Sequence, residues 1–505
     1  MRADGIAGEP RPHVPIGYAV LFAAAFLLLC TMNAAGYRYG ASDQALYTPA
    51  VLRHLDPALF PRDAPLIDTQ ARLMLNDEFV AVLARITRAS LQGLYLALYS
   101  ITLVLLFCAA LRLGSHFFRT RGALVALTAA LTLRHAIAKT GTNSLEGYFH
   151  PRQLAFALGV LALAMFAERR HALVAVLLLL VTAMHTTTAL WFGCWLGVAT
   201  WVDRPAWRRG LLTAAGVVLC AALWMVWQGP LAGRLRVMDA EWLTVIGDKD
   251  YLFPLAWPPD AWFTNLIAIP IIIVAWRSRA RAGLTVPGET ALVAGALGLA
   301  AIFALWLPFD AMRLALAVQV QTSRVFWMLD FLATVYLVWG LAEGTGTAPG
   351  VARRAVVVAG TIVALSTVRA VYTCFVEFPD RRIVAVDVEH ADWRGAMAWA
   401  RATPPGTGWL ADPAHAAIYG SSVRAAGHRD VLLDAMKDSA LAMYDRRIAM
   451  RVADRRQALR TIAWDTADGA RALAQRYGLD YLVTSRSLDL PVAYRAGSLT
   501  IYRLR

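Results

Sequence analysis

Apolar residues run in long unbroken stretches up to about residue 375 and in short alternating or amphipathic groups after it. A bilayer core of ~30 Å is crossed by about 20 apolar residues in a helix, with ~17–25 usual. Eleven runs approach or meet that length, at approximately 16–35, 91–111, 122–138, 153–167, 172–187, 188–202, 210–228, 262–276, 290–308, 325–342 and 355–374. Several are short, which suits helices buried in a bundle or facing a thinned membrane. Run 16–35 is too long and too continuously apolar for a signal peptide, and no clear small-residue cleavage site ends it, so it is read as a retained anchor. Basic residues fall in alternate loops: Arg2/Arg11, Arg112/Arg119/Arg121, Arg169/Arg170, Arg204/Arg208/Arg209, Arg277/Arg279/Arg281 and Arg353/Arg354. Cytoplasmic loops collect Arg and Lys, so the N-terminus and these loops are placed inside. The apolar stretch 171–202 lies between two basic loops and must cross an even number of times. It is therefore predicted as two short helices turning near His185 and Thr186. Eleven crossings put the C-terminal end outside.

Three external segments are long enough to do chemistry. Segment 36–90 carries Pro49, Pro57, Pro61 and Pro65 and an amphipathic stretch from Asp68 to about Arg88 that suits the membrane surface. Segment 229–261, with Trp242, Trp257 and Pro258-Pro259, reads as an interfacial loop. Segment 309–324 interrupts its apolar residues with Gln319, Gln321 and Arg324 and is expected to dip back, which polar backbone does only in a cavity or inside protein. The tail after about Asp380 alternates extended and helical signals. Gly408 to Ala411 reads as a strand, 438–460 as one Arg-rich helix, Asp468 to Tyr477 as a helix stopped by Gly478, Leu479 to Val483 as a strand, and 492–504 as a hairpin turning at Ala496-Gly497. The predicted architecture is a polytopic α-helical membrane domain over 1–378, with external loop 36–90, followed by an external α/β domain over 379–505.

Composition agrees and excludes alternatives. The chain has 505 residues, 58% hydrophobic and 17% charged, against roughly 25% charged in soluble domains, which rules out a single soluble globule or a disordered chain. A net charge of +14 would suit nucleic acid if gathered on one face, but the basic residues sit in short pairs between apolar runs, so nucleic acid is not expected as a partner. Lys occurs at Lys139, Lys249 and Lys437 alone, read as compositional bias. The five cysteines lie in or beside apolar runs, form no metal-spaced cluster, and none follows Cys374. The tail has no Gly-rich phosphate loop and no Gly-x-Ser-x-Gly, hence no catalytic motif of its own.

Chemistry is sought where polar residues gather at outer helix ends. Asp43, in the run Tyr39 to Tyr47 just beyond the first helix, can serve as a general base on a hydroxyl or as a metal ligand. The structural alternative is that Ser42 caps a surface helix and Asp43 complements its dipole. Asp56 to Asp63 reads as a structured turn. In Glu146 to Arg152, Arg152 has the fork geometry for a phosphate, while His150 and Glu146 can ligate a metal with Asp43 or hydrogen-bond the loop. His185 stands in a turn whose Thr186, Thr187 and Thr188 can satisfy their own helix backbone. Arg324 can clamp a phosphate or anchor the interface.

These features resemble the GT-C-type integral membrane glycosyltransferases, which include protein O-mannosyltransferases and lipid A aminoarabinose transferases, and most of all an uncharacterised bacterial group. That group's first-loop pattern, Ser-Asp-Gln-x-x-Tyr-x-Pro then Asp-Pro-x-Leu-Phe-Pro-x-Asp, is matched from Ser42 to Asp63, and includes Tyr47. Its C-terminal Trp-x-x-x-x-x-Trp and Thr-Pro are matched by Trp393 to Trp399 and Thr403-Pro404. The resemblance implies transfer of a sugar from a polyprenyl-phosphate donor to an acceptor hydroxyl on the outer face of a bacterial inner membrane, with inversion. It implies a catalytic Asp43, with Arg152, His150, Glu146, Arg324, His185 and Tyr47 binding substrate. The implied partners are the lipid-linked donor, an acceptor glycan, lipid or protein, and membrane lipids. Many members place a second acid beside the first-loop Asp; here Gln44 follows and Ala41 precedes. Glu146 can supply that carboxylate from another loop, and a divalent metal is the one cofactor left open. A non-catalytic glycan-binding or assembly protein, and a transporter or flippase, are the competing classes. The second should show internal repeats, and no clear repeat is found.

Overall fold

The computed structural model describes residues 16–71, 73–346 and 348–505; Arg2 and Arg11, used above for topology, lie outside them. Each of the eleven apolar runs carries a helix, but run 122–138 is helical only to Leu131 and then turns into strand Ala136–Ile137, paired with Thr142–Asn143. Among the described residues six helices are long and apolar enough to cross a membrane: Leu91–Phe117, Pro205–Trp227, Pro259–Arg281, Glu289–Ala311, Ala315–Ala342 and Gly350–Glu377. Shorter apolar helices span Gly17–Asn33, Arg121–Leu131, Pro151–Ala167 and His171–Met184. The helical part therefore has the build of a multi-pass membrane protein. The stretch 171–202 breaks at His185, which ends helix His171–Met184 and caps Thr186–Asp203 by accepting from the Thr188 N–H. Small residues let neighbours close up: Gly159 meets the Phe192 ring, and a Cβ at Gly159 would lie 2.2 Å from it. Helix Arg208–Trp227, by contrast, buries no residue.

Two expectations about elements are corrected. Asp68 to Arg88 is two helices, Ala64–Ala71 and Asn76–Thr87. The second leaves Phe79, Val82 and Ile86 exposed in a row at helical spacing, the apolar face that lets a helix lie on a membrane. The Arg-rich helix 438–460 is also two, Ala435–Leu441 and Arg446–Thr461. Asp445 starts the second by accepting from the Arg447 N–H at 2.8 Å, an N-cap that outweighs the continuous helical periodicity.

The tail forms a five-stranded sheet in the order Asp430–Val431, Gly408–Leu410, Tyr481–Thr484, Leu499–Arg503, Val492–Ala496. The first three run parallel and the last two join by an antiparallel hairpin. Helices Ala391–Arg401 and Ala467–Tyr477 bury Trp393, Met397 and Leu473 against it, and Gly478 ends the second helix at φ +68°. The tail is tied back to the first loop: Tyr37–Arg38 pairs in parallel with Val384–Ala385. Segment 309–324 folds as helix Ala315–Val320 and a 3-10 turn Thr322–Arg324, with Gln319 Nε2 donating to the Met443 carbonyl at 2.8 Å. The tail thus holds the Gln319 amide, while Ser323 donates to the Tyr251 carbonyl at 3.3 Å.

Candidate functional site

The loop that presents Asp43 is set by tight backbone and one buried amide. Gly40 stands at φ +75° and Ser42 at φ +50°, a turn that throws Asp43 to the start of helix Gln44–Leu55. Gln44 is fully buried; its Oε1 accepts from the Gly40 N–H at 2.7 Å and its Nε2 donates to the Phe149 carbonyl at 3.1 Å. Gln44 is therefore a staple joining the Asp43 loop to the His150 loop. Ser42 does not cap the helix: its Oγ accepts from the Tyr148 hydroxyl at 3.3 Å, and the Asp43 side chain makes no capping bond.

Asp43 faces a cavity of about 220 Å3. Six of the seven residues singled out above line it: Asp43, Tyr47, His150, Arg152, His185 and Arg324. Glu146 does not; it stands behind Arg152 and accepts from its guanidinium at 3.2 Å. Its carboxyl is pushed up by burial, against the Arg152 charge.

Hydrogen bonds fix the His150 tautomer. Nδ1 accepts from the Arg152 backbone N–H at 3.0 Å, so the proton sits on Nε2, which donates to Asp43 Oδ2 at 3.1 Å. Burial and the Arg152 charge, outweighing Asp43, push His150 down to about 4, so the ring is neutral at physiological pH. Tyr47 sets its ring edge-on to His150 and its hydroxyl accepts from Gln70. His185 Nδ1 meets the Thr188 hydroxyl at 2.9 Å and the Thr187 hydroxyl at 3.2 Å, and Thr186 donates to the Leu73 carbonyl, so the turn is polar as expected but its hydroxyls bond these groups and not their own helix backbone. Arg324 reaches Thr187 Oγ1 at 3.4 Å, and its buried Nε has no hydrogen-bond partner among the described residues.

The residue that sequence reasoning missed is Lys437. Its Nζ donates to Asp43 Oδ1 at 2.6 Å from helix Ala435–Leu441 of the tail, which carries no recognisable motif. Burial alone would raise the Asp43 carboxyl, but Lys437, His150 and Arg152 outweigh it and hold it well below the usual carboxylate range. Lys249 lines the same cavity. Two of the three lysines in the chain thus come to one place, and that scarcity was the available signal.

A divalent ion does not fit these residues. The Asp43 oxygens are taken by an ammonium and an imidazole N–H, Glu146 by Arg152, and the described residues hold no group of three or more His, Cys, Asp or Glu that could bind a metal. The expected Asp43, His150 and Glu146 ligand set is therefore not assembled.

No protein-family model matches the chain, and no curated protein matches it in sequence. In structure it is similar to the arabinofuranosyltransferase AftD from mycobacteria, with 14% identity over 98% of this chain and a TM-score of 0.48. It is also similar to the Archaeoglobus fulgidus oligosaccharyltransferase in the apo form, with 13% identity over 93% of this chain and 70% of that one, and a TM-score of 0.41. The chain covers 40% of the length of the arabinofuranosyltransferase.

Proposed function

We propose that the protein is an inverting membrane glycosyltransferase that moves a sugar from a polyprenyl-phosphate donor to an acceptor hydroxyl, with Asp43 as general base. The observation that supports this is one cavity holding a carboxylate beside Lys437, Arg152 and Arg324, the last with an unpartnered buried N–H. The acceptor oxygen attacks the anomeric carbon as its proton passes to Asp43. The bond from that carbon to the phosphate oxygen breaks, and polyprenyl phosphate leaves with the electron pair, countered by Arg324, Arg152 and Lys437. No covalent enzyme intermediate is needed, so the anomeric centre inverts.

A carboxylate held as low as Asp43 is a weak proton acceptor. Lys437 resolves this: a donor phosphate gives the ammonium a second anion to face, and each step it takes toward the phosphate raises the proton affinity of Asp43. Donor binding thereby arms the base.

The setting proposed is a bacterial inner membrane crossed eleven times, with the N-terminus inside, the membrane domain over 1–378 and the domain 379–505 outside. Reporter fusions after Arg354 and at Arg505 are expected to read opposite sides; the same side would overturn the topology. For the chemistry, single-turnover transfer from a labelled polyprenyl-phosphate sugar is measured with the unsubstituted protein and Asp43→Asn. Loss of roughly 10²–10⁴-fold is expected, with the protein folded and the donor bound. Comparable rates would overturn the assignment.

A further inference from the structure

Beside the Asp43 cavity lies a larger cleft of about 540 Å3, within the ~300–1,000 Å3 of small-ligand sites. Its walls come from helix Ala64–Ala71, from the turn between Pro230 and Arg236 with Trp242, and from Tyr444 to Arg447 of the tail. Three arginines face it and two acids do. Asp68 is paired with Arg53 outside the cleft, and Asp445 with Arg447 at 2.9 Å. Arg234 and Arg236 form no ion pair among the described residues. Arg234 donates to Gln319 Oε1 at 3.0 Å and lies 5.5 Å over the Tyr444 ring; Arg236 lies 5.1 Å over the Trp242 ring. A guanidinium resting on an aromatic ring keeps its charge and its in-plane N–H groups for a ligand.

The cleft adjoins the Asp43 cavity, with Tyr444 and helix Ala64–Ala71 as walls common to both. Tyr444 lines both, and helix Ala64–Ala71 gives Asp68 and Thr69 to the cleft and Gln70 to the cavity. An occupant of the cleft therefore has one end at Tyr444, beside the proposed base.

We propose that this cleft is the acceptor subsite and that the acceptor is an anionic glycan, one that carries carboxylates or phosphates on its sugars. The proposal rests on the glycosyltransferase reading for the word acceptor, but the binding it asserts is measured without any transfer. Two unpaired guanidiniums over aromatic rings supply both contacts that such a chain offers, an anionic group and a flat sugar face. A neutral glycan would leave Arg234 and Arg236 only the more distant charges of Asp445, already paired with Arg447, and Asp239.

The test uses the full chain in detergent with trigalacturonate as the anionic probe and maltotriose as the neutral one, by calorimetry. Trigalacturonate is expected to bind at least about ten-fold more tightly, with an affinity that falls as salt rises. The exposed Arg236→Ala and the double Arg234→Ala/Arg236→Ala should each weaken it, by about ten-fold for the pair. Arg236→Lys should retain more affinity than Arg236→Ala, and thermal melting of every variant shows whether it is folded. Asp43→Asn should bind the probe as the unsubstituted protein does, so a failed transfer assay and a failed acceptor site give different results. Equal binding of both probes, or no loss in a folded double variant, would overturn the proposal. So would displacement of trigalacturonate by an equal concentration of glycerol phosphate, because the occupant would then be a phospholipid headgroup.

Discussion

The protein buries two clusters of charge where the loop 36–90 meets the tail, and they are built on opposite principles. Around Arg424 every strong valence is closed. Its Nε donates to Asp63 at 2.6 Å, its two terminal nitrogens to Asp438 at 2.5 and 3.0 Å. Arg451 also pairs with Asp63, and Asp430 accepts from the Arg62 and Asp63 backbone N–H groups at 3.2 and 2.9 Å. Around Asp43 the set is left open: the side chain is 28% exposed to a cavity, and the Arg324 Nε has no partner among the described residues. A closed network fixes geometry, and an open one keeps charge for a ligand. The two are adjacent on one helix, since Asp438 binds Arg424 and Lys437 binds Asp43. The closed cluster thereby sets where the open cluster's lysine stands.

The comparison breaks most visibly if one cation is removed from each cluster. Arg424→Ala strands Asp438 without solvent and leaves Asp63 to Arg451 and Arg455, and removing one partner of a buried pair costs about 3–5 kcal/mol; thermal and denaturant unfolding should show it. Lys437→Met leaves Asp43 with cavity water and His150, so its stability should stay within about 1 kcal/mol of the unsubstituted protein. Donor affinity should instead fall by about ten-fold, a change of about 1.4 kcal/mol in binding. Equal destabilisation by both would mean the Asp43 cluster is structural.

The closed cluster also carries a pH signature. Burial would raise Asp63, but Arg424, Arg451 and Arg455 hold it at about 2, below its unfolded ~3.9. Its stabilisation is present above ~3.9 and is lost as pH falls through 2. Burial and the neighbouring Asp63 push Asp430 up to about 6, so its contribution is full below ~3.9 and is lost as pH rises through 6. Melting temperature should therefore peak near pH 4, each arm being on the order of 3 kcal/mol. Asp430→Asn should flatten the arm between about pH 4 and 6. An unchanged arm would place the titration elsewhere.

These clusters mark where the sequence is readable. Apolar runs announce their helices because a span needs an apolar length whatever its neighbours are, and the polar break at His185 was forced by the basic loops on either side. The tail's strands and Gly478 stop follow local signals. Long helical periodicity hid the break at Asp445, because a cap is one residue that competes with many. Asp43, His150, Arg152 and Arg324 stood out as polar residues at apolar helix ends, and the fold gathers them on one cavity. Lys437 had no such contrast: it lies 394 residues from Asp43 in a polar helix, and only tertiary packing joins the two. Glu146 takes the local one of the two readings open for it, a hydrogen bond within its own loop, since its partner Arg152 is only six residues away.

The smallest expected effect separates the two hydrogen-bond partners of Asp43 inside the open cluster, the Lys437 ammonium and the neutral His150 ring. Lys437 contributes most to holding Asp43 low, and the His150 N–H contributes next. The acid limb of kcat/KM reports the free enzyme, so in the unsubstituted protein it should lie below the ordinary carboxylate range. His150→Ala removes a hydrogen bond to the charged form, which raises the carboxyl and moves that limb to higher pH, by less than about one unit for a single neutral donor. Lys437→Met should move it further in the same direction. Because His150 itself is pushed down to about 4, no limb near 6.5 belongs to it, and the profile between pH 5 and 8 should be the same with His150 or with Ala. A break near 6.5 that disappears in His150→Ala would show the imidazole titrating in the working range. It would then be His150, rather than Asp43, that takes the acceptor's proton.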